Sequence, residues 1–252
     1  MRVFITGATS GLGLAMAHWY ASRGSQIGAV GRQQPVLDAL SERYPGQIQG
    51  YPLDVRDRPA LHAAAHQFLK AGPVDLVIAS AGISVGTLTE AQEDFRVFEQ
   101  IIDVNLLAMV ATFEPFLDSM KARGAGQLAG IASVAGIRGL PGASAYSASK
   151  AAVIAYCESL RNELSGYGIR VCTLTPGYIR TPMTAHNPYS MPFLTDAEVF
   201  ADRAARALAR QRRQIVIPWQ MGIIAKLLRV LPNAVFDYFA RNAPRKPRQT
   251  VE

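Results

Sequence analysis

The chain has 252 residues, of which 26 are Lys or Arg and 19 are Asp or Glu, for a formal charge of +7; 49% are hydrophobic and 18% charged. This excludes a disordered or linker-like protein and leaves ample core for one large domain. No apolar run approaches the ~20 residues of a bilayer span, and the first strand-like segment starts at Val3, too early to follow a signal peptide, so a cytoplasmic protein is expected.

Residues 3–6 form the first β-branched run, and Thr6-Gly7-Ala8-Thr9-Ser10-Gly11-Leu12-Gly13 follows at once, opening a helix. Glycines there let the backbone turn tightly and approach a pyrophosphate, whose charge is favoured by the free amides of a helix start. The second run, 26–31, ends at Arg32, where a dinucleotide fold selecting NAD would place a carboxylate for the ribose 2′-OH. A guanidinium binds a phosphate with two charge-assisted hydrogen bonds, so Arg32 predicts NADP(H).

Further strands are predicted at 48–53, 74–79, 127–132, 169–175 and 215–217, making seven. Between them, Asp57 and Pro59 open a helix with Leu61, Ala65, Phe68 and Leu69 on one face, and Thr195-Asp-Ala-Glu198 reads as a capping box for a helix to about Gln211. The alternation predicts one doubly wound parallel α/β sheet. Residues 181–195, with Pro182, Pro188 and Pro192, read as a loop that orders on demand. Cys157 and Cys172 have neither disulfide-framework nor metal spacing and are expected as reduced packing residues, with no metal site.

Tyr146-Ser-Ala-Ser-Lys150 opens another helix, and the spacing of four puts phenol and ammonium on one face. A nearby cation favours phenolate, which predicts a lowered Tyr146 pKa and acid/base use.

These motifs, in this order, resemble the short-chain dehydrogenase/reductase (SDR) family in its compact single-domain branch, over nearly the whole chain. Residues 6–13 are similar to the family's Thr-Gly-x-x-x-Gly-x-Gly, Asp54 to its adenine-contacting Asp, and Asp103-Val-Asn105 to the segment with its active-site Asn. Ser133, 13 residues before Tyr146, matches the family's Ser; Pro176-Gly177 and Thr181 resemble its nicotinamide stretch. Ala79-Ser80-Ala81-Gly82 departs from the common Asn-Asn-Ala-Gly and loses amide hydrogen bonds between strands.

The resemblance implies a Rossmann-like doubly wound seven-stranded sheet with helices on both faces, and a catalytic set of Asn105, Ser133, Tyr146 and Lys150. It implies cofactor contacts from Gly7, Thr9, Ser10, Gly11, Leu12 and Gly13, from Arg32, Asp54 and Val55, and from Ala81, Gly82, Tyr146, Lys150, Pro176, Gly177, Ile179 and Thr181. Hydride transfer between NADP(H) and a carbonyl or alcohol follows, in a homodimer or homotetramer. Ile137, Leu140, Met183, Tyr189 and Phe193 are the substrate candidates, and their character points to an apolar ketone or aldehyde. His186 reads as a solvated loop residue. The competing reading is a catalytically idle NADP(H) sensor, against which the full set of Ser133, Tyr146, Lys150 and Asn105 argues.

Residues 1–218 thus read as the catalytic domain, 219–241 as a helical extension of it and 242–252 as a basic flexible tail. Residues 1–202 hold 15 basic and 17 acidic side chains, whereas 203–252 hold 11 and 2, so the positive excess is carboxy-terminal. Specific nucleic-acid binding is not expected, for want of an aromatic platform or docking motif. Pro232 should divide the extension into two short helices. Packing against protein is the preferred role; weak anionic-membrane association through 219–252, with a membrane-surface lipid-ketone reductase as the corresponding function, is the alternative.

Overall fold

A computed structural model describes residues 1–185, 187–242 and 245–248; His186 and the tail positions 243–244 and 249–252 lie outside the described residues. The strands are β1 (Arg2–Thr6), β2 (Gln26–Gly31), β3 (Ile48–Pro52), β4 (Leu76–Ala79), β5 (Gly126–Ile131), β6 (Ile169–Pro176), β7 (Ile179–Arg180), β8 (Thr195–Asp196) and β9 (Gln214–Ile217). The helices are α1 (Gly11–Ala21), α2 (Gln34–Arg43), α3 (Arg58–Lys70), α4 (Asp94–Ile102), α5 (Ala108–Arg123), α6 (Ser144–Glu163), α7 (Ala197–Ala209), α8 (Trp219–Val230) and α9 (Asn233–Ala240).

Seven strands form one parallel sheet in the order β3-β2-β1-β4-β5-β6-β9, as expected. Because side chains alternate across a strand, β1 feeds two cores at once. Val3 and Ile5 join Met16, Leu37 and Phe200 under α1, α2 and α7, while Phe4 joins Phe68, Phe116 and Val153 under α3, α5 and α6. Phe4 and Phe116 meet at a centroid distance of 4.9 Å. Cys157 and Cys172 are buried free thiols, pushed up by burial to about 11 and about 12.

The chain runs outward from β1 to β3 on one side and from β4 to β9 on the other, so the order reverses between β1 and β4. Such a reversal opens a crevice beyond the carboxyl ends of the two strands, where ligands bind in folds of this kind.

Several local expectations differ. The capping box does not form: Thr195 lies in β8 and its hydroxyl donates to Phe193 O at 3.0 Å, leaving Asp196 as the N-cap of α7. The parallel pair β7–β8, which closes the base of the loop between them, has no periodicity to announce it. The run 94–123 is long and apolar enough by composition to cross a bilayer, but Phe113, Phe116 and Met120 bury its apolar side in the core. Tail residues 245–248 depart from the expected flexibility. Gly86 N donates to Pro247 O at 3.0 Å, and Arg248 donates to Asp94 and Glu93 at 2.6–3.0 Å, holding the Asp94 carboxyl below the usual range.

Candidate active site

The loop from β1 to α1 is shaped by close backbone approach. Gly7 has φ +70, and a Cβ on it would lie 2.8 Å from Ala81 Cα, at the end of β4. Gly13 lets α1 pack on the same loop, since its Cβ would fall 2.2 Å from Gly7 O. Gly13→Ala is therefore expected to force helix and loop apart at a cost of about 1–3 kcal/mol, read as a lower Tm with weakened dinucleotide affinity. Ser10, the N-cap of α1, makes no side-chain cap, so the first amides of this 11-residue helix are not claimed by it.

A cleft of about 340 Å³ runs along the crevice. Gly7, Thr9, Ser10, Gly11 and Leu12 line its centre, and Arg32, Asp54 and Val55 one end. Ala81, Gly82, Ser133, Tyr146, Lys150, Pro176, Gly177, Ile179, Thr181 and Met183 line the other. Gly13 lies behind it as a packing residue rather than on its wall. The glycine-walled lining and the uncapped helix start fit the pyrophosphate of a dinucleotide.

Asp54 is gripped by Arg56, which donates from Nε at 3.1 Å, from its terminal nitrogen at 2.7 Å and from its backbone at 2.9 Å. That pairing holds the carboxyl below its ordinary range. Arg56, which also lines the cleft, was not among the expected contacts, and neither were Gln33, Gln100, Pro182 or Thr184. A second basic residue two positions after Asp54 was the available signal for Arg56.

At the other end, the end of β5 delivers Ser133 in extended backbone. Its hydroxyl oxygen accepts from Ala135 N at 3.2 Å, capping the short turn that follows. The cap uses a lone pair and leaves the O–H free to donate. Helix α6 brings Tyr146 and Lys150 beside it. Lys150 is 3% exposed, its Nζ donates to Ile131 O at 2.8 Å, and burial drives its pKa down to about 8.

The expected lowering of the Tyr146 pKa is not found. Burial raises it, the neighbouring Ser133 hydroxyl pulls more weakly the other way, and the Lys150 ammonium, 5.8 Å from the ring centroid, points to Ile131 instead.

Asn105 sits in a π-helical turn, Asp103–Leu107, between α4 and α5 and is fully buried. Its Oδ1 accepts from Ile83 N at 2.8 Å, and its Nδ2 donates to Ile83 O and to Ser149 Oγ, both at 3.0 Å. The amide therefore clamps the segment after β4 to α6. This supplies part of what the missing Asn pair before Gly82 would have contributed.

Of the substrate candidates, only Met183 lines the cleft. Ile137 and Leu140 line a second hollow of about 640 Å³, whose far wall is Arg229, Phe236, Ala240 and Arg241. Tyr189 packs edge-on against Tyr178, and Phe193 is exposed. Lys246 Nζ donates to Ser84 Oγ at 2.9 Å, one residue beyond Ile83 of the cleft lining.

The family model for the short chain dehydrogenase matches residues 1–190. An uncharacterized oxidoreductase of Myxococcus xanthus is 37% identical over 94% of this chain and 95% of its own length. A ketoacyl reductase of Nostoc is 32% identical over 85% and 77%. A solved structure of a serine dehydrogenase in closed form, complexed with NADP+, superposes with a TM-score of 0.75 at 24% identity, covering 85% of this chain and 92% of that one, a likeness of fold.

Proposed function

This chain belongs to the short-chain dehydrogenase family of oxidoreductases, and from that premise we propose that it interconverts an apolar ketone or aldehyde and the corresponding alcohol with NADP(H). The observation that carries the reading is the convergence of Ser133, Tyr146 and Lys150 on one wall of the cleft that has the glycine loop at its centre and Arg32 at its far end.

The reduced nicotinamide would supply hydride to the carbonyl carbon. The protein's part is proton transfer and placement. Tyr146, kept protonated by burial, donates its proton to the carbonyl oxygen, and the free O–H of Ser133 donates to the same oxygen as its charge grows. Lys150 binds the ribose hydroxyls of the dinucleotide. Asn105 acts by fixing the segment 82–83 against α6, near the Lys150 ammonium, and the remaining lone pair of its Oδ1 would hold a water for return of the proton. Met183, Ile83, Val104 and Pro182 give the substrate end an apolar lining, which favours an uncharged carbonyl compound.

At the adenosine end, Arg32 binds the 2′-phosphate and Arg56 removes the repulsion that a bare Asp54 carboxylate would exert on it. Arg32→Ala is expected to weaken NADPH binding roughly 10- to 100-fold, the worth of a bidentate charged pair, while leaving NADH nearly unchanged. Titration of the two dinucleotides by fluorescence measures the ratio, and an unchanged ratio would overturn the NADP(H) assignment.

The function itself is tested by following NADPH absorbance with a panel of apolar ketones, aldehydes and charged keto acids. Turnover confined to the charged acids would sink the substrate class. Tight NADPH binding with no turnover of any compound would favour the idle sensor. A cytoplasmic homodimer or homotetramer remains part of the reading; exposed Phe95 and Leu107, at the two ends of the α4 region, offer apolar area for such contact.

A further inference from the structure

The two helices after β9 turn large apolar side chains to solvent. On α8, Trp219, Ile223, Leu227 and Val230 are 64, 51, 61 and 77% exposed, and on α9 Tyr238 and Phe239 are 71 and 70% exposed. At about 100° per residue the four on α8 fall within an arc of about 80°, with Lys226 at its edge. Met221 and Ala225 are buried on the opposite side of the same helix. Helix α9 repeats the division: Val235, Tyr238 and Phe239 share the outer side, while Phe236 and Ala240 face the second hollow.

This arrangement is held firmly. Arg138 stacks over the Phe236 ring at 4.2 Å and donates to Leu231 O at 3.2 Å and to Asn233 Oδ1 at 2.9 Å, and Arg229 donates to Ile137 O at 3.3 Å. The packing role expected for the extension is therefore filled by one side of each helix only. The other side is left to water along both.

We infer that the outer face of α8 and α9 docks onto the surface of a bilayer containing anionic lipid. Charge chooses this occupant over a second copy of the chain. On α8 the exposed Lys226 borders the apolar strip with Arg229 beside it, and the one acid of the two helices, Asp237, lies on the side of α9 that faces the second hollow. A two-fold contact through the same face would set those cations against their own copies. Anionic headgroups would instead accept them while the aromatic and aliphatic side chains enter the headgroup–acyl boundary. Trp and Tyr are the side chains suited to that boundary, with an apolar body and a polar tip.

The full-length protein is tested by flotation with vesicles of phosphatidylcholine alone and with about a third phosphatidylglycerol, and by Trp emission. Trp19 is half-buried against Asp202, so Trp219 is the reporter, and Trp219→Phe identifies its share. The expected result is at least tenfold stronger partition onto the anionic vesicles, weakened by salt and accompanied by a blue shift absent from Trp219→Phe. Ile223→Glu/Leu227→Glu should abolish partition, and Lys226→Glu should reduce it. Both sets are exposed, and circular dichroism with NADPH binding verifies folding. Absent partition of the folded protein, or partition indifferent to lipid charge, would overturn the inference. So would a fall in solution mass caused by Ile223→Glu/Leu227→Glu without vesicle binding, which would assign the face to a second copy. None of these readouts uses turnover, so this inference and the oxidoreductase reading fail separately.

Discussion

Tyr146→Phe is expected to lower turnover roughly 10²- to 10⁴-fold, the usual contribution of a positioned general acid, while leaving dinucleotide affinity within a few-fold. The substitution removes one oxygen and keeps the ring that α6 holds beside Ser133. Because burial raises the Tyr146 pKa, the phenol is protonated throughout the neutral range, the form that reduction of a carbonyl consumes. Reduction should therefore vary little from pH 6 to 7, below the Lys150 pKa of about 8, whereas alcohol oxidation, which needs the phenolate, should accelerate as pH rises. Initial rates in both directions across that range check the sign, and unimpaired turnover in the Phe variant would remove Tyr146 from the reaction.

What was legible in the sequence was what neighbours in the chain decide. The glycine loop needs only the strand before it and the helix after it, and Tyr146 and Lys150 share a face through the helical repeat alone. The two carboxy-terminal helices were likewise foretold by Pro232. What was missed depends on partners far along the chain. Arg248 is held by Asp94, 154 positions away, and nothing around Arg248 announces it. Asn105 is marked in the sequence only by resemblance, and its grip on Ile83, 22 positions away, shows only in the fold. Ile137 and Leu140 follow Ser133 closely enough to suggest the cleft, but that loop lines a separate hollow together with α8 and α9. The Tyr146 pKa departs from what spacing implies for the same reason: spacing puts an ammonium nearby, and only the fold shows it bonded to Ile131 O with the phenol desolvated.

The buried ammonium gives the last prediction, in which function and stability move oppositely. A Lys whose pKa falls from the usual 10.5 to about 8 on folding loses about 3 kcal/mol of stability wherever both states are protonated. That cost is complete below pH 8, shrinks as pH rises above it and vanishes near 10.5, where the unfolded chain also releases its proton. Lys150→Met keeps the length of the side chain and removes the charge. It leaves Ile131 O without its donor, a loss of about 1 kcal/mol, so a net gain of about 2 kcal/mol is expected at pH 7. For a chain of this size that raises Tm by about 4–8 °C. The gain should fade by pH 10 and narrow when NADPH is present, since ribose hydroxyls bound to Lys150 compensate its burial. Turnover should fall at least as far as in Tyr146→Phe. Thermal melts of both proteins at pH 7 and 10, with and without NADPH, carry the test. A Met variant that melts lower at pH 7, or whose advantage ignores pH, would mean that the ammonium is already solvated and that its burial is not what the catalytic arrangement must overcome.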